Sequence, residues 1–275
     1  MSDTMAAPLL HIDQLGKRFG GFVALDGVDL SVPKGQRLGL IGPNGSGKST
    51  TIDCISGFQK LDSGKVVLAG NDITGRISHL IARAGMMRTF QTVRVYEKLS
   101  LRDNLAIAAQ QFDAATWMDE FLRTKRYRDA VDSSEKRARQ LVDLIGLQKY
   151  YDIETGILSY GQKKLVALAA ALMPHPKIVV LDEPVAGVNP TRIREIEVAL
   201  QQLNQAGETF LIVEHNVEFI TTLCHKVIVL DQGLKLAEGT AAEIHADSRV
   251  LEAYLGTTPE IAEEEMRAPF MESTP

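Results

Sequence analysis

The sequence is poor in cysteine and has no long apolar segment. Only two cysteines occur among 275 residues, Cys54 and Cys224, and each lies in an apolar stretch. This argues against a disulfide scaffold or a metal site and favours reduced thiols in a core, with one disulfide left open as the alternative. The longest apolar run, Leu165–Met173, is far shorter than the ~20 residues of a membrane helix, and the N-terminus lacks the pattern of a signal peptide. We therefore expect a chain that neither crosses a membrane nor is secreted.

Positive charge is also scarce. The formal net charge is −5, and most of it lies in residues 259–275, where five glutamates stand against one arginine. The rest of the chain has no net positive field of the kind that nucleic-acid-binding proteins use, so we expect no nucleic-acid partner. Apolar residues make up 45% of the chain and charged residues 24%. These are ordinary values for a globular protein and argue against disorder.

Two kinds of apolar pattern predict two kinds of strand. Short alternating segments within 8–32 and 65–70 predict antiparallel strands with one solvated face. Compact apolar runs predict strands that are buried on both faces. These runs are Arg37–Ile41, Ile178–Leu181, Phe210–Val213 and Val227–Leu230. Because two of them lead into sequences typical of helix starts, the predicted fold class is α/β with a mostly parallel sheet.

Residues 95–173 have helical patterns and almost no strand pattern, which predicts an inserted helical subdomain. A single domain is expected over residues 8–258. Within it, 8–94 and 174–240 form the α/β core together with an antiparallel β subdomain. The acidic segment 259–275 is predicted to be a flexible tail.

A glycine-rich loop follows the first buried strand. Residues 42–49, Gly-Pro-Asn-Gly-Ser-Gly-Lys-Ser, fit the phosphate-binding loop pattern between a predicted strand and a predicted helix. Glycines let backbone N–H groups face phosphate oxygens, and the helix adds its positive end. Lys48 is then expected to contact the β and γ phosphates and Ser49 to ligate Mg²⁺; the alternative is a glycine-rich turn with a surface lysine. The predicted nucleotide-binding residues here are Gly42, Pro43, Asn44, Gly45, Ser46, Gly47, Lys48, Ser49 and Thr50.

Two adjacent carboxylates end another buried strand. Asp182 and Glu183 directly follow the apolar run Ile178–Leu181, and ligands bind at such strand ends in open α/β sheets. Asp182 is predicted to hold Mg²⁺ through water. Glu183, which points the other way by strand alternation, is predicted to accept a proton from the water that attacks the γ phosphorus. The alternative is a solvated strand terminus.

A third motif, Leu158–Gln162, has the sequence Leu-Ser-Tyr-Gly-Gln and precedes a run of good helix formers. Considered alone, it is a serine-capped helix start. Just before the Ile178 strand, and in a chain with a phosphate loop, it resembles the signature of the ATP-binding cassette ATPases. This resemblance covers nearly the whole chain. It implies that Ser159, Gly161 and Gln162 bind nucleotide.

The resemblance implies roles for three more residues. Gln91 resembles the glutamine that senses Mg²⁺ and the membrane partner, and it is expected to contact both metal and nucleotide. His215 resembles the switch histidine that contacts the γ phosphate and holds the attacking water. Phe19 resembles the aromatic residue that stacks on adenine, with Phe22 as an alternative. Without the resemblance, the simplest interpretation of Gln91 is a surface polar side chain and that of His215 is a hydrogen-bonded histidine at a strand end. Phe19 is then an ordinary core aromatic side chain.

Two departures narrow the family. The third signature position, commonly glycine, is Tyr160, and Asn189 stands where many relatives have aspartate. Together with the segments Arg88–Gln91 and Glu252–Gly256, they resemble the ATPase subunits of importers for branched-chain amino acids and related amides or urea.

The resemblance implies a P-loop NTPase core and an ATPase on the cytoplasmic face of the cell membrane, with ATP and Mg²⁺ as cofactors. It also implies a head-to-tail dimer with an identical or paralogous ATPase subunit, which ATP closes and hydrolysis reopens. A groove near Gln91–Tyr96 is expected to receive a helix of transmembrane permease subunits, and a solute-binding protein takes part indirectly. Two alternatives are kept: a soluble ATPase of translation or DNA repair, and an ATP-gated module without turnover. Glu183 and His215 argue against the latter.

Overall fold

The computed structural model describes residues 7–110, 119, 121, 122 and 124–255. The chain divides into two compact units. The first combines Met1–Ser78 with Phe210–Pro275, and the second is His79–Thr209. The acidic segment predicted to be a flexible tail, 259–275, lies outside the described residues, and the subdomain boundaries expected from the sequence stay a prediction.

Both strands and helices occur in the described residues. The strands are β1 (Leu10–Phe19), β2 (Phe22–Val32), β3 (Arg37–Ile41), β4 (Ser63–Leu68), β5 (Asn71–Asp72), β6 (Met86–Arg88), β7 (Ile178–Asp182), β8 (Phe210–Val213), β9 (Lys226–Asp231) and β10 (Leu234–Gly239). The helices are α1 (Lys48–Ile55), α2 (Ser78–Ala84), α3 (Leu101–Gln110), α4 (Lys125–Leu144), α5 (Tyr160–Leu172), α6 (Pro190–Gln205), α7 (Val217–Leu223), α8 (Ala241–Ala246) and α9 (Ser248–Leu255), with 3₁₀ turns at Gln148–Tyr150 and Thr155–Ile157. A membrane span would need a longer and more apolar helix than any found in the described residues.

The first unit contains parallel and antiparallel strands in separate arrangements. β3 pairs in parallel with β8 on one side and with β9 on the other, and β10 pairs antiparallel with β9. A separate antiparallel sheet has the order β2-β1-β4-β5. In the second unit, β6 and β7 are paired in parallel, beside helices α3 to α6. The predicted α/β class, with a mostly parallel core and an antiparallel part, is confirmed.

The parallel strands of the first unit form its core because their side chains are apolar on both faces. Leu40 on β3, Phe210 on β8 and Val229 on β9 are all 0% exposed. Gly39 on β3 lets α7 approach closely: a Cβ built there would lie 2.5 Å from Ile220 Cγ2. Since close-packed interiors have little room for an added methyl group, a larger residue at position 39 would push α7 away.

Both cysteines are free thiols. Cys54 is buried and Cys224 is half-buried. Burial raises the pKa of Cys54 to about 11 and that of Cys224 to about 12, so both sulfurs remain protonated near neutral pH. The prediction of reduced core thiols is confirmed, and the alternative of a disulfide between them is not.

Side-chain caps set the start of two helices in the second unit. Ser159 and Gln162 form a reciprocal capping box at α5: Ser159 Oγ accepts from the backbone N of Gln162 at 3.3 Å, and Gln162 Oε1 accepts from the backbone N of Ser159 at 3.0 Å. At α6, Asn189 Oδ1 accepts from the backbone N of Thr191 at 3.0 Å, and Pro190 takes the first helical position. An aspartate would accept the same bond, so Asn189 preserves the helix start.

Candidate functional site

The phosphate loop, residues 42–47, connects β3 to α1 in the first unit. Gly42 has φ 149° and Gly47 has φ 103°, values that residues with a Cβ rarely adopt. A Cβ on Gly42 would also lie 2.1 Å from the backbone O of Leu230. The loop therefore requires glycine at these two positions, both for the backbone conformation and, at Gly42, for space.

The polar groups of this loop suit a phosphate. Lys48 Nζ donates to the backbone O of Gly42 at 2.6 Å and to that of Pro43 at 3.0 Å, which holds the ammonium group against the loop. Ser46 Oγ is buried and finds no hydrogen-bond partner among the described residues, and Ser49 is exposed at the start of α1. An ammonium group, a helix N-terminus and hydroxyl donors are the groups that bind phosphate oxygens in proteins. The residues present therefore fit the phosphate groups of a nucleoside triphosphate.

The turn between β9 and β10 supports the loop. The backbone N of Gly233 donates to the backbone O of Ser46 at 3.0 Å, and the backbone O of Gly233 accepts from Asp26 N at 2.9 Å. Beside the loop, a cleft of about 540 Å³ is lined by Pro43–Ser46, by this turn and by α9. The β9–β10 turn thus holds the loop on one side, and the cleft leaves another side of the loop accessible to a ligand.

His215 and the phosphate loop follow the C-terminal ends of two neighbouring parallel strands, β8 and β3. The register pairs Leu40 of β3 with Val213 of β8, so the residues that follow these two strands are neighbours. The His215 side chain is 51% exposed, whereas that of Glu214 is 0% exposed, with Oε2 3.7 Å from His215 Nδ1. The same oxygen accepts from the backbone N of His215 at 3.2 Å. Glu214 is not among the predicted site residues; its only signal in the sequence is a carboxylate directly before a strand-end histidine.

Phe19 and Phe22 face each other across the β1–β2 turn. Their side chains are 45% and 65% exposed, and Lys17 Nζ lies 5.1 Å from the centre of the Phe19 ring. Neither ring is a core residue, so the alternative interpretation of Phe19 as a core aromatic is wrong. Both rings present surface on which a planar base can stack.

In the second unit, the pairing of β6 with β7 brings together residues about ninety positions apart. Gln91 Nε2 donates to Glu183 Oε2 at 2.6 Å. Arg88 Nη2 lies 2.8 Å from Asp182 Oδ2, with the two side chains only 9% and 14% exposed. Three predicted site residues, Gln91, Asp182 and Glu183, therefore lie in one cluster. Arg88 belongs to the same cluster but is not among the predicted site residues, because no local sequence pattern pairs it with Asp182.

Glu183 has an unusual backbone. Its φ is 49°, a left-handed value that costs a residue with a Cβ roughly 1–2 kcal/mol. Lys164 Nζ donates to the backbone O of Glu183 at 2.6 Å. Surrounding contacts of this kind are needed for such a conformation to persist, and strained residues of this type concentrate at functional sites.

The signature residues start α5. Ser159 and Tyr160 are exposed, and Gly161 is buried. A Cβ on Gly161 would lie 3.2 Å from Val188 Cγ1, so a side chain there would be tight. The first backbone N–H groups of a helix have no partner within it and can meet an anion.

A groove of about 240 Å³ lies beside the segment Gln91–Tyr96 in the second unit. Phe90 and Tyr96 line it and are 39% and 59% exposed, and Arg94 lies between them in sequence. Small residues of α5, Ala167, Ala170 and Ala171, form another wall. Small residues on a helix face let another helix approach closely.

Comparison with known proteins gives two matching family models. One, described as ABC transporter, matches residues 25–186. The other, described as branched-chain amino acid ATP-binding cassette transporter, matches residues 235–259.

The similar proteins cover nearly the whole chain. The high-affinity branched-chain amino acid transport ATP-binding protein BraF of Pseudomonas aeruginosa is 33% identical over 253 residues, 92% of this chain and 99% of that protein. The probable branched-chain amino acid transport ATP-binding protein LivG of Methanocaldococcus jannaschii is 36% identical over 260 residues, 93% and 100% of the two chains. A crystal structure of the ADP conformation of an ATP-binding cassette aligns with a TM-score of 0.78 at 34% identity, covering 91% of this chain and 100% of that one.

Proposed function

Because this chain belongs to the ABC transporter family, we propose that it is the ATP-binding and ATP-hydrolysing subunit of an importer for branched-chain amino acids or related amides. The family expected from the motifs is confirmed, and with it ATP binding and ATPase activity. The observation that carries the proposal is the phosphate loop, with Lys48 held inside it and the Ser46 hydroxyl buried without a partner among the described residues. The solute class is supported by the names of the similar proteins and by the match at residues 235–259.

The first unit is proposed to hold the nucleotide. Backbone N–H groups of the loop and the Lys48 ammonium bind the β and γ phosphates, because both are donors placed beside a helix N-terminus. Phe19 stacks on adenine, with Phe22 as the alternative, since both rings are exposed. Ser49 follows Lys48 on α1 and is exposed.

Mg²⁺ is proposed to be held by Ser49, Gln91 and Asp182. Proteins hold this ion through one or two carboxylates together with substrate phosphates and water, and Asp182 supplies one carboxylate. Arg88 contacts Oδ2 of Asp182, and the Asp182 carboxylate would hold the ion through water. When bound, the ion neutralises charge that develops on the phosphates.

Glu183 is proposed to be the general base. Its carboxylate accepts a proton from water as the water oxygen bonds to the γ phosphorus and the bond from that phosphorus to the bridging oxygen of ADP breaks. Gln91, which donates to Glu183 Oε2 at 2.6 Å, orients the carboxylate. His215 holds the attacking water and the γ phosphate. The buried Glu214 carboxylate accepts from the backbone N of His215 and so fixes the histidine backbone.

The ATPase is proposed to act as a head-to-tail dimer with an identical or paralogous subunit. Ser159, Gly161 and Gln162 of each subunit complete the phosphate site of the other, which the exposed start of α5 supports. In the assembled transporter, Ser159→Arg should abolish turnover while ATP binding to the isolated chain is unchanged, because its own phosphate loop is intact. The control is Ser133→Arg on α4, where the same side chain meets solvent. Equal turnover by Ser159→Arg and wild type would contradict the composite site.

The groove lined by Phe90, Tyr96 and the α5 alanines is proposed to receive a cytoplasmic helix of the permease, which places this chain on the cytoplasmic face of the membrane. A solute-binding protein acts indirectly, through the permease. The test is Mg-ATP turnover by the purified chain, alone and with the permease in vesicles supplied with the solute-binding protein. Turnover that the permease stimulates, with uptake of branched-chain amino acids, is expected. Turnover indifferent to any permease would favour a soluble ATPase, and nucleotide binding without turnover would favour a regulatory module.

A further inference from the structure

Tyr160 stands where glycine is common in the signature, and its side chain contacts three other parts of the second unit. Its hydroxyl donates to the backbone O of Gln91 at 3.5 Å. Lys164 Nζ lies 5.6 Å from the centre of its ring. A Cβ on Gly187 would lie 3.4 Å from the ring atom Cε1, so the ring also packs against the loop that precedes α6.

Two of these neighbours hold Glu183. Gln91 donates to the Glu183 carboxylate, and Lys164 donates to the Glu183 backbone O, each at 2.6 Å. The second contact supports a residue whose φ is 49°. Tyr160 therefore contacts both residues that hold Glu183: the backbone O of Gln91, whose side chain holds the carboxylate, and the ammonium group of Lys164, which holds the main chain.

We propose that Tyr160 is a positioning residue for ATP hydrolysis, which fixes Gln91 and Lys164 and through them the orientation of the Glu183 carboxylate. The proposal rests on the proposed role of Glu183 as general base. A glycine at position 160 has neither hydroxyl nor ring, so this chain has a connection between its signature and its base that a glycine signature lacks. The ring is 44% exposed. The effect of Tyr160 on Glu183 therefore comes from its hydrogen bond to Gln91 and its contact with the Lys164 ammonium group more than from burial of the ring.

The test compares Tyr160→Phe, which removes only the hydroxyl, with Tyr160→Gly, which also removes the ring. In the full chain, kcat should fall about 2- to 10-fold in Tyr160→Phe, the range for one net hydrogen bond. It should fall about 10- to 50-fold in Tyr160→Gly, where the cation–π contact is lost as well. KM and ATP affinity should stay near wild type, because the phosphate loop is untouched. Tyr127→Phe on α4 is the matched control and should keep the wild-type kcat.

A double-variant cycle with Glu183→Gln separates this inference from the proposed function. If Tyr160 acts through Glu183, adding Tyr160→Phe to Glu183→Gln should not lower turnover further. A multiplied loss in the double variant overturns the inference. A wild-type kcat in Tyr160→Phe also overturns it, even if the melting temperature falls, and leaves the role of Glu183 intact. Wild-type turnover by Glu183→Gln removes both the base assignment and this inference.

Discussion

The phosphate loop of the first unit and the Glu183 cluster of the second are built in different ways. The loop consists of consecutive residues whose backbone conformation follows from glycine, as at Gly42 and Gly47. The cluster consists of side chains from distant parts of the chain, among them Gln91, Lys164 and Glu183. A site made of backbone groups can be encoded locally. A site made of side-chain contacts depends on how strands and helices pack.

The strongest test of the local site is Lys48→Ala. ATP binding should be lost, because a charge-assisted hydrogen bond contributes about 1.5–3 kcal/mol and the ammonium makes more than one of them to the β and γ phosphates. The fold should survive, since the Gly42 and Pro43 carbonyls that the Lys48 ammonium contacts belong to the loop and not to the apolar core. Titration with a fluorescent ATP analogue measures the affinity and circular dichroism measures the fold. Normal affinity in the folded variant would contradict the phosphate-loop assignment.

Glu183→Gln tests the cluster and should separate binding from chemistry. Glutamine keeps the size of the side chain and can hydrogen-bond but accepts no proton from water, so turnover should fall at least ~100-fold, the lower range for a general base. ATP binding should persist because the loop is unchanged. Release of inorganic phosphate and nucleotide affinity are the two measurements. The base lies elsewhere if hydrolysis continues near the wild-type rate.

Arg88→Met asks how much the cluster contributes to stability. Removing one partner of a buried ion pair leaves the other charge uncompensated, so the free energy of unfolding should fall by about 3 kcal/mol. The matched control is Arg192→Met, which breaks the Arg192–Glu195 pair, whose side chains are 48% and 47% exposed. That change should cost less than about 0.5 kcal/mol. Urea denaturation of both variants measures the difference, and similar losses would show that the Arg88 pair is not special.

A smaller effect on stability is expected from two histidines, one in each unit, when the pH falls. Burial, and then Arg37, lower the pKa of His225, whose Nδ1 accepts from the backbone N of Arg37 at 3.1 Å. Burial, and then Arg137, lower the pKa of His175. The unfolded chain, with a histidine pKa of about 6.5, therefore binds protons more readily than the folded chain. The contribution of these two histidines to the free energy of unfolding is therefore fully present above about pH 6.5 and is lost as the pH falls below that value.

Wild-type protein should therefore be less stable towards urea at pH 5.5 than at pH 7.5. His225→Gln and His175→Gln should each reduce this difference, because each removes one group that unfolding protonates. His245→Gln on α8, which removes another exposed histidine, is the control. An unchanged pH dependence in both the His225 and the His175 variant would rule out these two histidines as its source.

Local patterns predicted the elements that carry the site. The apolar run Ile178–Leu181 is β7, extended by one residue to Asp182, and the serine cap expected before α5 is the Ser159 box. The predictions for Arg37–Ile41 and Phe210–Val213 match β3 and β8 without change. These succeed because strand burial and helix capping depend on neighbouring residues and on their spacing along the chain.

By itself, the sequence determined the phosphate loop, the position of the two carboxylates at a strand end and the family. Only the tertiary structure decided that Arg88 pairs with Asp182, that Glu214 lies buried behind His215, and that Tyr160 contacts the two residues that hold Glu183. The physical reason is the range of the interactions. Glycine conformation and strand burial act within a few residues. The contacts of Arg88 and Tyr160, in contrast, form between segments that meet only when β6 pairs with β7 and α5 packs beside them.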